Sequence, residues 1–383
     1  MDVAGQAADS GSHLARLLGF LERDPDNLPL IADAASAALA EGDPERAARL
    51  IGRYADIAPL PPALVNLQGV VALSENRYEE AAAIFGSLLT GGVDDPGLRF
   101  NLAWAKAMLR DYEGASDLID EAVAAASPRA AALKVQALHH LGRLDEALDW
   151  GRRLADQRPA DTGLMGALAI VALDAEDVDL ARTYALRAGD AHDGLAALGM
   201  LELDQDHVDE SLALFDRALA ASKDDARAVL GKGLALLVKG DSGQAAELIH
   251  RSADLFGSHL GSWVASGWAY FVNGDQARAR EAFEQALAVD DNFSEAHGGL
   301  AVLDVLAGQI DSARRRTDVA LRLDRNCFSA ALAKSLILAN QGDAGSAERI
   351  LKMALSAPIG PDGKTLAQAM VGFGWGSKGR AGS

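Results

Sequence analysis

A spacing of 34 residues organises most of this chain and limits what it can fold into. Five successive frames of this length start at residues 192, 226, 260, 294 and 328. Most residues at the shared positions of these frames are small or apolar, and the frame from Leu260 shows the pattern most completely. Its positions 4, 8, 11, 15, 20, 24 and 27 are Trp263, Gly267, Tyr270, Gly274, Ala279, Phe283 and Ala286. A fixed period of this length is typical of a repeat architecture built from one supersecondary unit.

The N-terminal half carries the same pattern less strictly. Frames start there at residues 28, 62, 96, 128 and 162. The frame from Pro96 is two residues short of 34, and the frame from Thr162 is four residues short. Ten frames therefore cover residues 28–361. The two or three domains expected from a length of 383 residues become a single repeat array.

Each frame predicts two helices of about a dozen residues, joined by a short turn such as Asn273-Gly274-Asp275. Small residues at positions 8 and 20 allow the paired helices to approach closely. Larger residues at positions 4, 7, 11 and 24 fill the space around that contact. Hydrophobic residues make up 49% of the chain but aromatic residues only 5%, and Ala and Leu carry most of the apolar content. This composition favours an all-α fold.

The pattern resembles the tetratricopeptide repeat family over nearly the whole chain. The copy at 260–293 has the family's Trp, Gly, Tyr, Ala, Phe and Ala positions, with Asp291 where the family favours Pro. The resemblance implies an all-α, right-handed α-solenoid of tandem helix-turn-helix repeats. It also implies that the first helix of each repeat lines a concave groove, in which positions 2, 5, 9, 12 and 13 face a bound segment of another protein.

The segments outside the frames are predicted to cap the array. Residues 1–27 form an N-terminal segment with a capping helix, and residues 362–383 form a short C-terminal helix followed by a Gly-rich tail. The shortened frame from Thr162 is followed by a Gly- and Asp-rich run at 189–194. This run is either a hinge or a rigid turn that only alters the superhelical pitch.

The charge of the chain excludes several classes of partner. Lys and Arg number 36 and Asp and Glu number 55, so the formal net charge is -19. A nucleic-acid binder needs clustered cations, and so does a protein that docks on anionic lipid, so neither is expected. The start of the chain has no basic leader, and no apolar run is long enough to cross a bilayer. We therefore expect a cytoplasmic protein without membrane insertion.

Residues that could carry chemistry form no convincing site. The run from Gly360 to Thr365 resembles the end of a phosphate-binding loop, but Pro358 stands where that loop needs glycine. His139 and His140 are adjacent, so on a helix they point about 100° apart and cannot share one metal ion. The single cysteine, Cys327, excludes an intrachain disulfide. We expect no enzyme activity, no cofactor and no metal site.

The groove positions of the resemblance are predominantly apolar. They contain almost none of the Lys, Asn and Arg residues with which the family's carboxylate-clamp repeats hold a peptide terminus. The candidate partner-binding residues are Phe100, Trp104, Met108, His139, Met200, Leu230, Trp268 and Phe271. They could accept an amphipathic helix or an apolar extended peptide. Alternatively, positions 9 and 12 pack between neighbouring first helices and leave little surface exposed.

The leading hypothesis for function is a non-enzymatic adaptor or chaperone-like module that binds an apolar or amphipathic segment of a partner protein, with a basic flank. One alternative is a ligand- or peptide-responsive regulator with hinge closure, and another is a scaffold that self-associates through its exposed ends. Residues 358–383 have a net charge of +2 and include Phe373 and Trp375. This tail is either a self-competing ligand or a frayed terminus.

Overall fold

The structure is a computed structural model in which residues 13–356 are described. Over this range the chain forms 22 helices and no strand, which confirms the prediction of an all-α fold. None of these helices combines the length and the apolar character needed to span a membrane. The expected C-terminal helix and Gly-rich tail, like residues 1–12 and the end of the last frame, lie outside the described residues.

The chain divides into two compact units, Met1–Ala175 and Glu176–Ser383. The described part of the first unit contains α1 (His13–Leu21), α2 (Leu28–Ala40), α3 (Pro44–Ile57), α4 (Pro62–Ser74), α5 (Tyr78–Thr90), α6 (Pro96–Met108), α7 (Tyr112–Asp117), α8 (Glu121–Ala126), α9 (Pro128–His140), α10 (Leu144–Gln157) and α11 (Thr162–Asp174).

The described part of the second unit contains α12 (Val178–Ala188), α13 (His192–Asp204), α14 (Val208–Ala221), α15 (Ala226–Lys239), α16 (Ser242–Phe256), α17 (Leu260–Val272), α18 (Gln276–Val289), α19 (Ser294–Leu306), α20 (Ile310–Leu323), α21 (Phe328–Asn340) and α22 (Ala344–Leu355). The first helices of the ten repeats are α2, α4, α6, α9, α11, α13, α15, α17, α19 and α21. Each begins at the residue where a sequence frame starts.

Each helix pair is defined by a turn residue at position 15. This residue has a positive φ in all ten repeats, and in six of them it is glycine, as in Gly274 with φ 84°. The other four repeats place a residue with a side chain in the same left-handed region: Asn76, Arg110, Glu176 and Asp206, with φ between 58° and 63°. An aspartate then caps many of the second helices, as Asp275 does by accepting from the Arg278 backbone N–H at 3.1 Å.

The two helices of a repeat meet at positions 8 and 20. Position 20 is alanine in nine repeats and Ser211 in the sixth, and all ten residues are buried. Ser211 donates a hydrogen bond to the Gly199 carbonyl across this contact at 2.8 Å. In the tenth repeat Ser335 donates in the opposite direction, to the Ala347 carbonyl at 2.9 Å. In both repeats the buried serine hydroxyl is satisfied by a hydrogen bond to a carbonyl of the facing helix.

Phenylalanine at position 24 joins one repeat to the next. Phe215 is fully buried, and a Cβ added to Gly199 of the same repeat would lie 2.6 Å from its ring. A Cβ added to Gly231 of the next repeat would overlap the same ring. Phe283 lies in the same way between Gly267 and Gly299. Each ring thus fills a space that only glycine leaves open on both neighbouring first helices.

The second helix of the third repeat differs from the prediction. We expected one helix of about a dozen residues, but the chain forms α7 and α8 with a break at 118–120. Asp120 caps α8 by accepting from the Val123 N–H at 2.9 Å. Lys134 donates to the Ile119 carbonyl at 2.8 Å and lies 4.5 Å from the centroid of the Trp150 ring. Burial lowers the pKa of this lysine. In this short frame, side chains therefore form hydrogen bonds with backbone groups that a continuous helix would satisfy with its own backbone.

The division between the two units falls between α11 and α12, within the fifth repeat. The segment 189–194 lies further along, where it joins α12 to α13 inside the second unit. Gly189 has a φ of 60° and follows the last residue of α12. Hinge closure at 189–194 stays a prediction.

A histidine–aspartate pair links the sixth repeat to the seventh. His192, at the start of α13, lies with Nδ1 2.8 Å from Asp225 Oδ2, and Asp225 caps α15 by accepting from the Ala228 N–H at 2.9 Å. The hydrogen bond to Asp225 raises the pKa of His192. Burial acts to raise the pKa of Asp225, but the bonds from His192 and from the helix N–H groups lower it overall.

The glycine contact yields a test of how the repeats are held together. We expect Gly231→Ala to destabilise the second unit by about 1–3 kcal/mol, because the new methyl group overlaps the buried Phe215 ring. The matched control is Gly52→Ala in α3, where a Cβ meets nothing within 4 Å. That variant should gain up to about 1 kcal/mol from helix propensity. Urea unfolding midpoints measure both changes, and equal midpoints for the two variants would contradict the packing account.

The His192–Asp225 pair predicts a specific pH dependence of stability. Because the folded-state pKa of His192 is raised, its contribution is fully present below the unfolded pKa of about 6.5 and is lost as the pH rises through the folded value. We expect His192→Asn to lose a few tenths to about 1 kcal/mol near pH 6, since the pair is partly in solvent, and less near pH 9. Thermal melts across this range measure the difference. His13→Asn, at an exposed histidine of α1, is the control, and a gap that widens with pH would refute the assignment.

Candidate functional site

The first helices of the second unit present an uncharged row at positions 5, 9 and 12. In all five repeats these positions hold only aliphatic or aromatic residues or glycine. Position 5 is Ala196, Leu230, Val264, Gly298 and Leu332; position 9 is Met200, Leu234, Trp268, Val302 and Leu336; position 12 is Leu203, Leu237, Phe271, Val305 and Ala339. The closest contact within each helix pair uses positions 8 and 20, and the side chains of this row pack beside it.

Four of the predicted site residues lie in this row, and each is half-buried: Met200, Leu230, Trp268 and Phe271. The Trp268 and Phe271 rings meet edge to face with centroids 5.4 Å apart. Trp268 also meets the buried Phe283 ring edge to face at 5.4 Å. Leu230 belongs to the same apolar cluster as these rings, and Met200 packs on the neighbouring cluster around Phe215. The indole of Trp268 therefore serves the core and retains an exposed part.

The row is interrupted at α19. Glu295, in α19, accepts hydrogen bonds from the Phe328 and Ser329 backbone N–H groups at 2.9 and 3.3 Å, and so caps α21. A Cβ added to Gly298 would lie 2.5 Å from the Ala330 nitrogen, so the two first helices touch directly. Val302 is only 1% exposed as a result. In this repeat position 9 packs between neighbouring first helices, as the alternative interpretation of the sequence expected.

Beyond Val302, Leu332 and Leu336 on α21 are also half-buried. The longer open part of the row is the stretch on α13, α15 and α17. We call it the apolar face and define it by six half-buried residues: Met200, Leu230, Leu234, Val264, Trp268 and Phe271. A half-buried side chain is held in place by its neighbours and still offers part of its surface to a ligand. The geometry suits contact with another apolar surface and provides no group for acid–base or nucleophilic chemistry.

The other four predicted residues lie in the first unit. Phe100, Trp104 and Met108 are spaced by four residues along α6, so they form one ridge on that helix. The Phe100 and Trp104 ring centroids are 6.2 Å apart, and Met108 is 41% exposed. His139, in α9, is half-buried, with Nε2 2.7 Å from Asp174 Oδ2 of the next first helix. The structure thus places this histidine in a hydrogen-bonded pair.

Two clusters of polar side chains were not predicted from the sequence. Asp304 is 1% exposed at position 11 of the ninth repeat, where the eighth has Tyr270. It accepts from Arg280 at 2.6 Å, from Arg316 at 3.1 Å and from Ser312 at 2.7 Å. A carboxylate at an apolar position of the pattern was the available signal. Since removal of either partner would leave charge buried, this network has a structural role.

The second group is formed by His192, Asp193 and Asp225, whose ligand atoms lie within 4.8 Å of one another. They are close enough to hold a metal ion. However, the group lies at the N-termini of α13 and α15, and the positive end of a helix dipole disfavours a cation. Asp225 already accepts from His192 and from the Ala228 backbone, so hydrogen bonding accounts for the arrangement.

Comparison with known proteins addresses the fold. The chain is similar to a solved structure of an IFIT1 monomeric mutant with Gppp-AAAA, at a TM-score of 0.53 and 13% identity over 88% of this chain and 93% of that one. It is also similar to the human IFIT1 dimer with PPP-AAAA, at a TM-score of 0.49 and 14% identity over 90% and 93%. PilF of Pseudomonas aeruginosa matches with a TM-score of 0.42 and 16% identity over 55% and 96%.

A search of curated proteins finds no match. Two tetratricopeptide repeat models match the chain, one at residues 32–96 and 196–258 and the other at residues 72–138 and 271–337. Together they cover more than half of its length, and their matches fall in both compact units. The repeat spacing, the ten helix pairs and these matches agree. The chain therefore belongs to the tetratricopeptide repeat family.

Proposed function

We propose that this protein is a non-catalytic adaptor that binds an apolar or amphipathic segment of a partner protein on the apolar face. One observation carries the proposal. The apolar face holds six apolar side chains on three consecutive first helices, and none of these side chains is fully buried. Soluble proteins rarely leave a contiguous apolar surface without a partner. A cytoplasmic location is part of the same proposal.

The residue types on the apolar face suit a partner helix or extended segment. Trp268 supplies a large anchor of the kind that dominates binding energy, and its contact with Phe283 holds it in position before the partner arrives. Met200 is flexible and can adapt to a partner's shape. Leu230, Leu234 and Val264 offer the aliphatic surface against which an amphipathic helix lays its apolar side.

The partner is expected to be a protein rather than a nucleic acid. The IFIT1 monomeric mutant is described with Gppp-AAAA, but the likeness to it is at 13% identity and concerns the fold. This chain has a net charge of -19, and its apolar face offers no cation for phosphate. We assign Phe100, Trp104, Met108 and His139 of the first unit to a second contact region for the same class of partner.

A charge placed on the apolar face should abolish binding. We expect Met200→Glu to reduce partner capture from a lysate at least about tenfold, because desolvation of an unpaired carboxylate costs more than the corresponding 1.4 kcal/mol. Affinity purification followed by quantitative mass spectrometry measures the loss. The matched control is Leu186→Glu, at a leucine of α12 that is 65% exposed and lies away from the apolar face.

The same two positions allow a direct test of contact. A photoreactive phenylalanine at position 200 should cross-link a partner segment, and one at position 186 should not. Circular dichroism melts check that both variants stay folded. Equal capture by Met200→Glu and the unsubstituted chain, or equal loss with Leu186→Glu, would refute the assignment of the apolar face.

A further inference from the structure

We propose that residues 357–383 of this chain are an internal ligand of the apolar face. In this arrangement Phe373 and Trp375 lie on the apolar face, and Lys378 and Arg380 lie at the acidic end of the second unit. The inference rests on the proposed function, because it assigns to the tail the chemistry proposed there for a partner. It follows from the order of charge along the unit, the order of residues along the tail, and the reach of the chain.

The charge of the second unit is concentrated at its beginning. Residues 176–210 hold ten carboxylates and two guanidinium groups, a net charge of -8. This stretch contains α13, the helix that carries Met200. Asp204 at the end of α13, Asp206 in the turn and Glu210 in α14 are exposed. Two other carboxylates, Asp190 and Asp209, pair with Arg217 and Lys239 from outside this stretch. A cation that reaches the α13 end of the apolar face therefore meets a surface with a net negative charge.

The rest of the apolar face offers only apolar contacts. Helix α17 has no charged residue, and the positions of α15 that belong to the face are Leu230 and Leu234. A ligand that runs from the end of the unit towards its beginning would thus meet apolar surface first and acidic surface last. Its complementary sequence is apolar first and basic last.

The tail has this order. After Ser356 the chain carries Asp362 and Lys364, whose charges offset each other, then Leu366, Met370 and Val371. Phe373 and Trp375 follow, and the unbalanced cations Lys378 and Arg380 come last. Glycines at 372, 374 and 376 leave the two aromatic side chains flanked by residues without side chains. Such spacing lets both rings approach a surface closely. The single acidic residue of the tail, Asp362, lies near its start.

The chain is long enough to make this contact. Neighbouring packed helices are about 8–10 Å apart, so the path from α21 past α19, α17 and α15 to α13 is about 40 Å. Trp375 is 19 residues after Ser356, and Lys378 is 22 residues after it. At about 3.3 Å per residue an extended segment of 22 residues spans about 70 Å, so the tail reaches α13 with slack.

An internal ligand changes how a partner binds. A tethered segment has an effective concentration in the millimolar range, so even weak docking competes with a partner in solution. The apolar face would be covered in the free protein and opened by exchange. A partner segment would then need enough affinity for the apolar face to displace the tail.

The test measures the distance between the tail and α13 in the full chain. Spin labels on Ser377→Cys and Gln205→Cys report this distance by pulsed electron paramagnetic resonance. Native Cys327 does not compete for the label, because it is buried and burial raises the pKa of its thiol to about 12. We expect a narrow distribution at short distance, which becomes broad when Phe373→Ala and Trp375→Ala are added. A broad distribution in the chain that retains both aromatic residues would overturn the proposal.

Partner capture separates this proposal from the proposed function. If the tail occupies the apolar face, Phe373→Ala with Trp375→Ala should raise capture at least about threefold, as removal of a tethered competitor requires. Unchanged capture would overturn the competition. If capture still falls with Met200→Glu, the proposed function stands while the tail proposal fails. If Met200→Glu has no effect but the label distribution is narrow and depends on the two aromatic residues, the tail docks and the proposed function fails.

Discussion

The structure depends on close contacts at small residues, and the tightest of them are two phenylalanine rings of the second unit held between the glycine backbones of neighbouring repeats. Phe215 and Phe283 each fill this space, and a methyl group on either side would collide with the ring. Positions 8 and 20 act in the same way within a repeat, where residues with small side chains let two helices touch. Because the repeats are packed this closely, their association depends on the complementary shapes of the touching side chains as well as on the apolar area that they bury.

Because these contacts involve only a few positions of each repeat, other side chains are left for binding. The core of each repeat relies mainly on positions 8, 20 and 24, so most side chains at 5, 9 and 12 are not fully buried. In the second unit they are all apolar or glycine, and Ala196, Gly298 and Val302 are buried, the last two where α19 lies against α21. The apolar face is the longer of the parts that stay open. Trp268 belongs to both regions, because its ring touches Phe283 and also borders the open surface.

The repeat spacing predicted most of the fold, because helix starts and turns depend on local signals. Prediction failed at the second helix of the third repeat, where a side chain from another repeat, Lys134, bonds to the backbone at the break. The turns form in all ten frames, although Asn76, Arg110, Glu176 and Asp206 adopt the left-handed conformation without glycine. For the candidate site, the apolar character of each position was readable from residue types. The exposure of each position could not be predicted from the sequence, since the burial of Val302 depends on how closely α19 and α21 approach each other.

The central claim is that a partner binds the apolar face of the second unit. Methyl NMR spectra of the full chain, recorded with and without the partner segment identified by cross-linking at position 200, test it most directly. The account predicts the largest shift changes at the methyl groups of Leu230, Leu234 and Val264. Changes confined to Leu186 and Val289, exposed on the second helices α12 and α18, would contradict it.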